Sequence, residues 1–210
     1  MKKIALFFCL SITICSCSSL NTKYFDDNYN EISKSKFKKL HSSRLYILIP
    51  GNEANHKRLI PRKETGKINR ADSLDRILEE ELNLEIDSNK PIVIVHFGNA
   101  QCSNSSSYFI SDFQLKFNAF NFIRKFDEVV YETTQVKPIY FYKNKSCLEK
   151  YKDFTSMNQD PDLLLEKLFL KYGTPYMSYI MISTKGNYSV QIAELSEGTL
   201  REELLEIAND

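Results

Sequence analysis

The side chains in this 210-residue chain with the most chemical potential are two thiols, Cys102 and Cys147. A thiolate, not a thiol, attacks disulfides, and a helix N-terminus stabilises it through free backbone amides and the macrodipole. Cys102 lies within a polar break, residues 98–105, that precedes a long helical pattern. Ser105 lies three residues on, so the local motif is C-x-x-S. A hydroxyl cannot resolve a mixed disulfide, which closes exchange within the motif. Three routes stay open: resolution of Cys102 by an external thiol, resolution by Cys147, or partner binding without redox chemistry. Cys147 also reads as a small buried hydrophobe. His96, one residue before Phe97, is a candidate base or proton relay because its ordinary pKa is near neutral. The plainer reading is a core histidine bonded to a neighbouring carbonyl.

Other chemistries find no support. Ser103, Ser105, Ser106 and Ser107 cluster without a His/Asp pattern, and capping or turn formation explains them. His41 and His56 have no metal-ligand spacing with any Cys, Asp or Glu. The sequence lacks a phosphate-cradling glycine loop, an H-E-x-x-H and a G-x-S-x-G. No metal and no cofactor is expected.

Several elements must position these residues. Residues 44–50 (RLYILIP) predict a strand ending in a Pro-Gly turn. Residues 57–70, with six basic side chains against one acid, read as a solvated loop or as a lipid-headgroup or partner patch. Leu74, Ile77, Leu78 and Leu82 recur at helical spacing after an Asp72-Ser73 cap. Residues 91–97 (PIVIVHF) have the character of a strand buried on both faces. Phe109, Phe113, Phe117, Phe120 and Ile123 mark an amphipathic helix. A second buried strand, residues 138–142, precedes a short helix capped by Ser146. Asp160-Pro161 opens another helix, which Gly173 stops. Residues 176–183 and 188–193 form a hairpin through Thr184-Lys185-Gly186-Asn187, and a helix over 199–208 follows. Parallel strands joined by helices, then a hairpin, imply an α/β fold: a mixed sheet flanked by helices on both faces.

The first residues carry an address. Lys2 and Lys3 precede an apolar run from Ile4 to Ile14 that is too short to span a bilayer. Ile14-Cys15-Ser16-Cys17 resembles a bacterial lipobox, so residues 1–16 are expected to be a signal peptide and Cys17 the lipidated N-terminus. Residues 17–42 read as a flexible tether, and residues 43–89 as an extension made of a strand, a basic loop and a helix. The cell envelope, periplasmic or surface-facing, is the expected location, with the membrane held through the acyl anchor. Without Lys2 and Lys3 the charge is close to balanced, which argues against nucleic acid as a partner.

Residues 90–210 resemble the thioredoxin fold, especially its periplasmic membrane-tethered branch. In that family a buried strand ending in an aromatic runs into a C-x-x-C motif at the start of a long helix. Here Phe97 and the segment through Cys102 and Ser105 hold that position. The family's cis-proline loop before the terminal hairpin is matched by Gly173-Thr174-Pro175. The resemblance implies Cys102 as attacking thiol, Ser105 tuning its surroundings, and Thr174 and Pro175 positioning substrate. Protein thiols or disulfides, or an envelope peptide, are the partners it implies. Ser105 in place of a second cysteine, and Gly98 and Gln101 in place of bulky aromatics, depart from the family pattern.

Overall fold

Apart from His96, the segment IVIVHF carries no side chain suited to water, so it must be covered on both sides. A computed structural model describes residues 21–70, 74–82, 84–98, 112–143, 156–173, 177–193 and 195–210, and in it every residue of that segment is buried. The elements run β1 (Lys23–Phe25), α1 (Lys34–Ser42), β2 (Tyr46–Pro50), β3 (His56–Pro61), β4 (Lys63–Lys67), α2 (Asp75–Leu82) and β5 (Ile92–Phe97). They continue α3 (Asp112–Thr134), β6 (Ile139–Tyr142), β7 (Met157–Gln159), α4 (Leu164–Phe169), β8 (Ser178–Ile182), β9 (Asn187–Ile192) and α5 (Glu197–Asn209).

The main sheet has the order β4-β9-β8-β5-β6-β7. β5 runs parallel to β6, with Ile94 opposite Ile139 and Phe97 opposite Tyr142. It runs antiparallel to β8, with Ile92 opposite Ile182 and His96 opposite Ser178. The parallel pair needs a crossover, and the chain between β5 and β6 contains the long helix α3. The antiparallel β8–β9 pair needs only a tight turn, where Gly186 has φ +81°. A Cβ at Gly186 would collide with the Ile68 carbonyl, so glycine is required there twice over. On one face Val93, Val95 and Phe97 pack with Ile123, Phe126 and Val130 of α3 and Leu200, Leu204 and Ile207 of α5. On the other face Ile92 and Ile94 pack with Leu78 of α2, Leu165 and Phe169 of α4, and Ile47, Ile49 and Ile60. The mixed α/β architecture, with helices on both faces, is as the sequence predicts.

Between residues 21 and 70 the expected strand at 44–50 is present as β2, and two other expectations are overturned. Part of the expected tether, residues 17–42, is folded: β1 lies parallel to β3, and α1 packs Phe37 against Tyr24 with ring centroids 4.6 Å apart. Ser33 caps α1 by accepting from the Lys36 amide at 3.2 Å. Only Phe37 is buried in KSKFKKLHS, so no apolar period announces this helix. The expected basic loop at 57–70 is largely strand as well. β3 joins β1 and β2 in a three-stranded sheet, and β4 pairs with β9. β4 (KETGK) has no apolar side chain and draws its structure from backbone pairing along the sheet edge. The main sheet therefore includes residues ahead of position 90. β7, the opposite edge, was equally silent in the sequence, because a three-residue polar strand has no detectable alternation. The expected start of the long helix at Phe109 and the short helix after Ser146 lie outside the described residues.

One buried guanidinium joins three segments. Arg70 Nε and Nη2 each bond a carboxylate oxygen of Asp75 at 3.1 Å. Its Nη1 donates to the carbonyls of Lys90 at 2.7 Å and Ser183 at 3.2 Å. The start of α2, the entry to β5 and the exit of β8 thus share one cation. Removing one partner of a buried pair leaves the other charged and unpaired, so Arg70→Leu is expected to cost about 3 kcal/mol. A fall in the urea midpoint at unchanged slope would show this; an unaltered midpoint would mean the segments are joined by other contacts.

A second polar contact has a pH signature. Tyr140 donates to Asp127 Oδ1 at 2.5 Å. Burial holds the Asp127 carboxyl above its ordinary range, opposed in part by the Tyr140 hydroxyl and the Lys137 charge. A carboxyl raised in the folded state favours folding below its unfolded pKa, and that contribution is lost as pH rises through the folded value. Asp127→Asn keeps an acceptor for Tyr140 and removes the titration. The variant should therefore unfold at higher temperature than wild type near neutrality, with the gap closing in acid. A gap that is constant across pH would show that Asp127 does not titrate in this way.

Candidate functional site

His96 is the polar exception in β5, and the pleat puts it on the same face as Ile92 and Ile94. Its Nε2 lies 3.3 Å from Asp160 Oδ2, and both side chains are completely buried. The approach is within ion-pair distance but misaligned for a hydrogen bond, and neither ring nitrogen has a hydrogen-bond partner among the described residues. Ser178, opposite His96 across the β5–β8 ladder, is also buried, and its Oγ has no partner among the described residues. Residues directly opposite across an antiparallel pair share a face. His96, Asp160 and Ser178 thus supply a polar floor at one end of an otherwise apolar sheet.

Asp160 is held by its local chain. Its amide donates to the Tyr142 carbonyl at 3.1 Å, extending the β6–β7 pairing by one residue. A 3-10 turn, Pro161–Leu163, follows, in which Asp162 (φ +48°) and Leu163 (φ +57°) are both left-handed. Two consecutive non-glycine residues in that region are costly, on the order of 1 kcal/mol each. The bend returns the amides of Leu165 and Glu166 to the carboxylate, at 2.9 Å to Oδ1 and 3.3 Å to Oδ2. Asp160 therefore anchors the start of α4 and faces His96 with the same group. Beside it, Lys143 donates its backbone amide to the Phe97 carbonyl and its Nζ to Glu166 Oε2 at 2.8 Å.

Of the residues singled out in the sequence, His96 is described in place. Cys17, Cys102, Ser105, Cys147, Thr174 and Pro175 lie outside the described residues. The ends of the chain that lead to them are described. Gly98 follows β5, Lys143 follows the parallel strand β6, and Met177 precedes the antiparallel strand β8. Strand direction brings all three points to the same end of the sheet, the end where His96 lies. Open α/β sheets bind ligands beyond the carboxyl ends of their parallel strands, which is this end. Sequence reasoning missed Asp160 and Ser178. Asp160-Pro161 was legible as a helix start, but its pairing with a histidine sixty-four positions earlier depends on strand order. Ser178 sits in the apolar run YMSYIMIS, and nothing in the sequence sets it apart from Ser183. No group of three or more His, Cys, Asp or Glu suited to a metal occurs among the described residues.

The two newly found members should respond in opposite directions. Ser178→Ala removes a buried hydroxyl without a partner and should leave stability unchanged or raise it by about 1 kcal/mol. Asp160→Ala strands the buried amides of Leu165 and Glu166 and should lower stability by about 3 kcal/mol. Chemical denaturation of both variants checks this, and a destabilised Ser178→Ala protein would show that the hydroxyl is partnered after all. No family model matches the chain, and no curated protein matches it at a significant level.

Proposed function

We propose that this chain is a lipid-anchored protein of the bacterial cell envelope whose α/β domain is thioredoxin-like and carries out thiol–disulfide exchange through Cys102. One observation carries the reading: the chain segments that hold Cys102, Cys147 and Thr174-Pro175 all attach to the end of the sheet where the His96–Asp160–Ser178 floor lies. The element order supports the same reading. A buried strand ends in Phe97, a long helix and a parallel strand follow, and a hairpin and terminal helix close the domain. The sheet β1-β3-β2 and the edge strands β4 and β7 are additions to that order.

In this mechanism the Cys102 thiolate attacks one sulfur of a substrate disulfide, forming a mixed disulfide and releasing the other sulfur as a thiolate. A second thiol, from the substrate, an envelope reductant or Cys147, then attacks the mixed disulfide and regenerates Cys102. Ser105 cannot take that part. His96 lies buried at the end of the sheet from which the Cys102 segment departs. His96 would accept the proton that the Cys102 thiol gives up.

Trapping in the envelope tests this. Wild-type protein should yield mixed disulfides that disappear in Cys102→Ser, and Cys102 should alkylate faster than an unperturbed thiol. If Cys102 reacts as an ordinary thiol and Cys102→Ser retains full biological function, exchange is refuted. The domain would then be a redox-inactive module that binds an envelope protein or peptide.

A further inference from the structure

Charge is distributed unevenly between the two sheets. Residues 21–62, which build the three-stranded sheet and α1, contain nine Lys and Arg against four Asp and Glu. Residues 63–210 contain seventeen against twenty-three. The near-neutral total therefore hides a basic end and an acidic remainder. α1 concentrates the basic charge: Lys34, Lys36, Lys38 and Lys39 are all exposed, and none forms a salt bridge among the described residues. Phe37 holds the opposite side of the helix against Tyr24 of β1. Three residues past α1 lies Leu45, the most exposed large apolar side chain among the described residues at 70 %. Lysines beside an exposed leucine are the composition of a surface that rests on a lipid interface.

Chain length adds an independent constraint. Asn21 is already tied down, its carbonyl accepting from Asn55 Nδ2 at 3.0 Å, and the next strand begins at Lys23. Cys17 is four residues before Asn21, and an extended chain covers at most about 14 Å over that distance. This step rests on the lipid-anchor reading given above. An acylated Cys17 would hold the three-stranded sheet at the bilayer, within roughly one or two Debye lengths at physiological salt. At that range a basic face is drawn to anionic headgroups.

We propose that the outer face of α1, with Leu45, is a docking surface for anionic phospholipid headgroups that seats the domain on the membrane instead of leaving it on a loose tether. The test uses the full processed protein reconstituted into vesicles of phosphatidylcholine alone or enriched in phosphatidylglycerol. Lysine acetylation is read by mass spectrometry, with Lys67 and Lys185 as references on the main sheet. On the anionic vesicles, labelling of Lys34, Lys36, Lys38 and Lys39 should drop several-fold relative to phosphatidylcholine, and high salt should restore it. Lys67 and Lys185 should label alike on both. Equal labelling of the α1 lysines on the two vesicle types overturns the proposal, as does protection that covers the reference lysines to the same degree.

The same spectra report whether Cys17 carries acyl chains, so failure of the anchor reading is seen separately. If it carries none, the processed chain is floated with both vesicle types. Flotation with the anionic vesicles alone upholds the basic face, and its absence refutes it. Substituting all four α1 lysines by Gln, with an unchanged circular dichroism spectrum, should abolish that flotation or the protection of neighbouring Lys23. Retention of either in the folded variant also overturns the assignment.

Discussion

β5 must be covered on both faces, and most of the molecule follows from that requirement. A strand whose six side chains are all buried cannot lie at an edge or face water. One face takes α3 and α5, and the other takes α2, α4 and apolar residues of the N-terminal sheet. The three-stranded sheet is thus part of the core, because Ile47, Ile49 and Ile60 complete the cover that α2 and α4 begin. Burying a side chain of this size contributes about 1.5–3 kcal/mol, and two faces of such residues outweigh the cost of a few poorly satisfied polar atoms.

That surplus makes the two ends of the sheet intelligible. At one end Arg70 is fully paired, binding Asp75 and two carbonyls, and its role is to hold segments together. At the other, His96 and Ser178 are buried with their bonding incomplete, and Asp160 is shared between a helix start and an imidazole. Both clusters are buried and polar, but one is saturated and the other is not. Among the described residues the second cluster keeps buried polar atoms without hydrogen-bond partners, whereas the first does not.

What was legible in the sequence divides along the same physical line. Elements that bury a periodic apolar face were read with little error: β5, β6, the β8–β9 hairpin and α5 lie within a residue or two of their expected bounds. Elements whose order comes from pairing were not. β1, β4 and β7 have three to five residues, too few for a detectable alternation, and are held chiefly by pairing with a neighbouring backbone. α1 has a single buried residue among nine, so its lysines read as linker. At the site, His96 could be noticed because a histidine is anomalous in a β-branched run. Asp160 and Ser178 could not be joined to it, since their proximity is a product of the strand order β8-β5-β6-β7.

The pairing of β4 with β9 has a consequence for how the chain folds. Lys63 meets Gln191 and Lys67 meets Asn187, so one edge of the main sheet is completed by residues far apart in the sequence. Loop-closure entropy delays such contacts, whereas β2 and β3 are joined by a short turn and can form early. A chain that emerges with its N-terminus first would carry β4 without its partner until nearly all the rest had appeared. Unpaired strands of that kind recruit other chains. Lys63, Glu64 and Lys67, which contribute nothing to an apolar core, make β4 a poor template for its own neighbours during that interval.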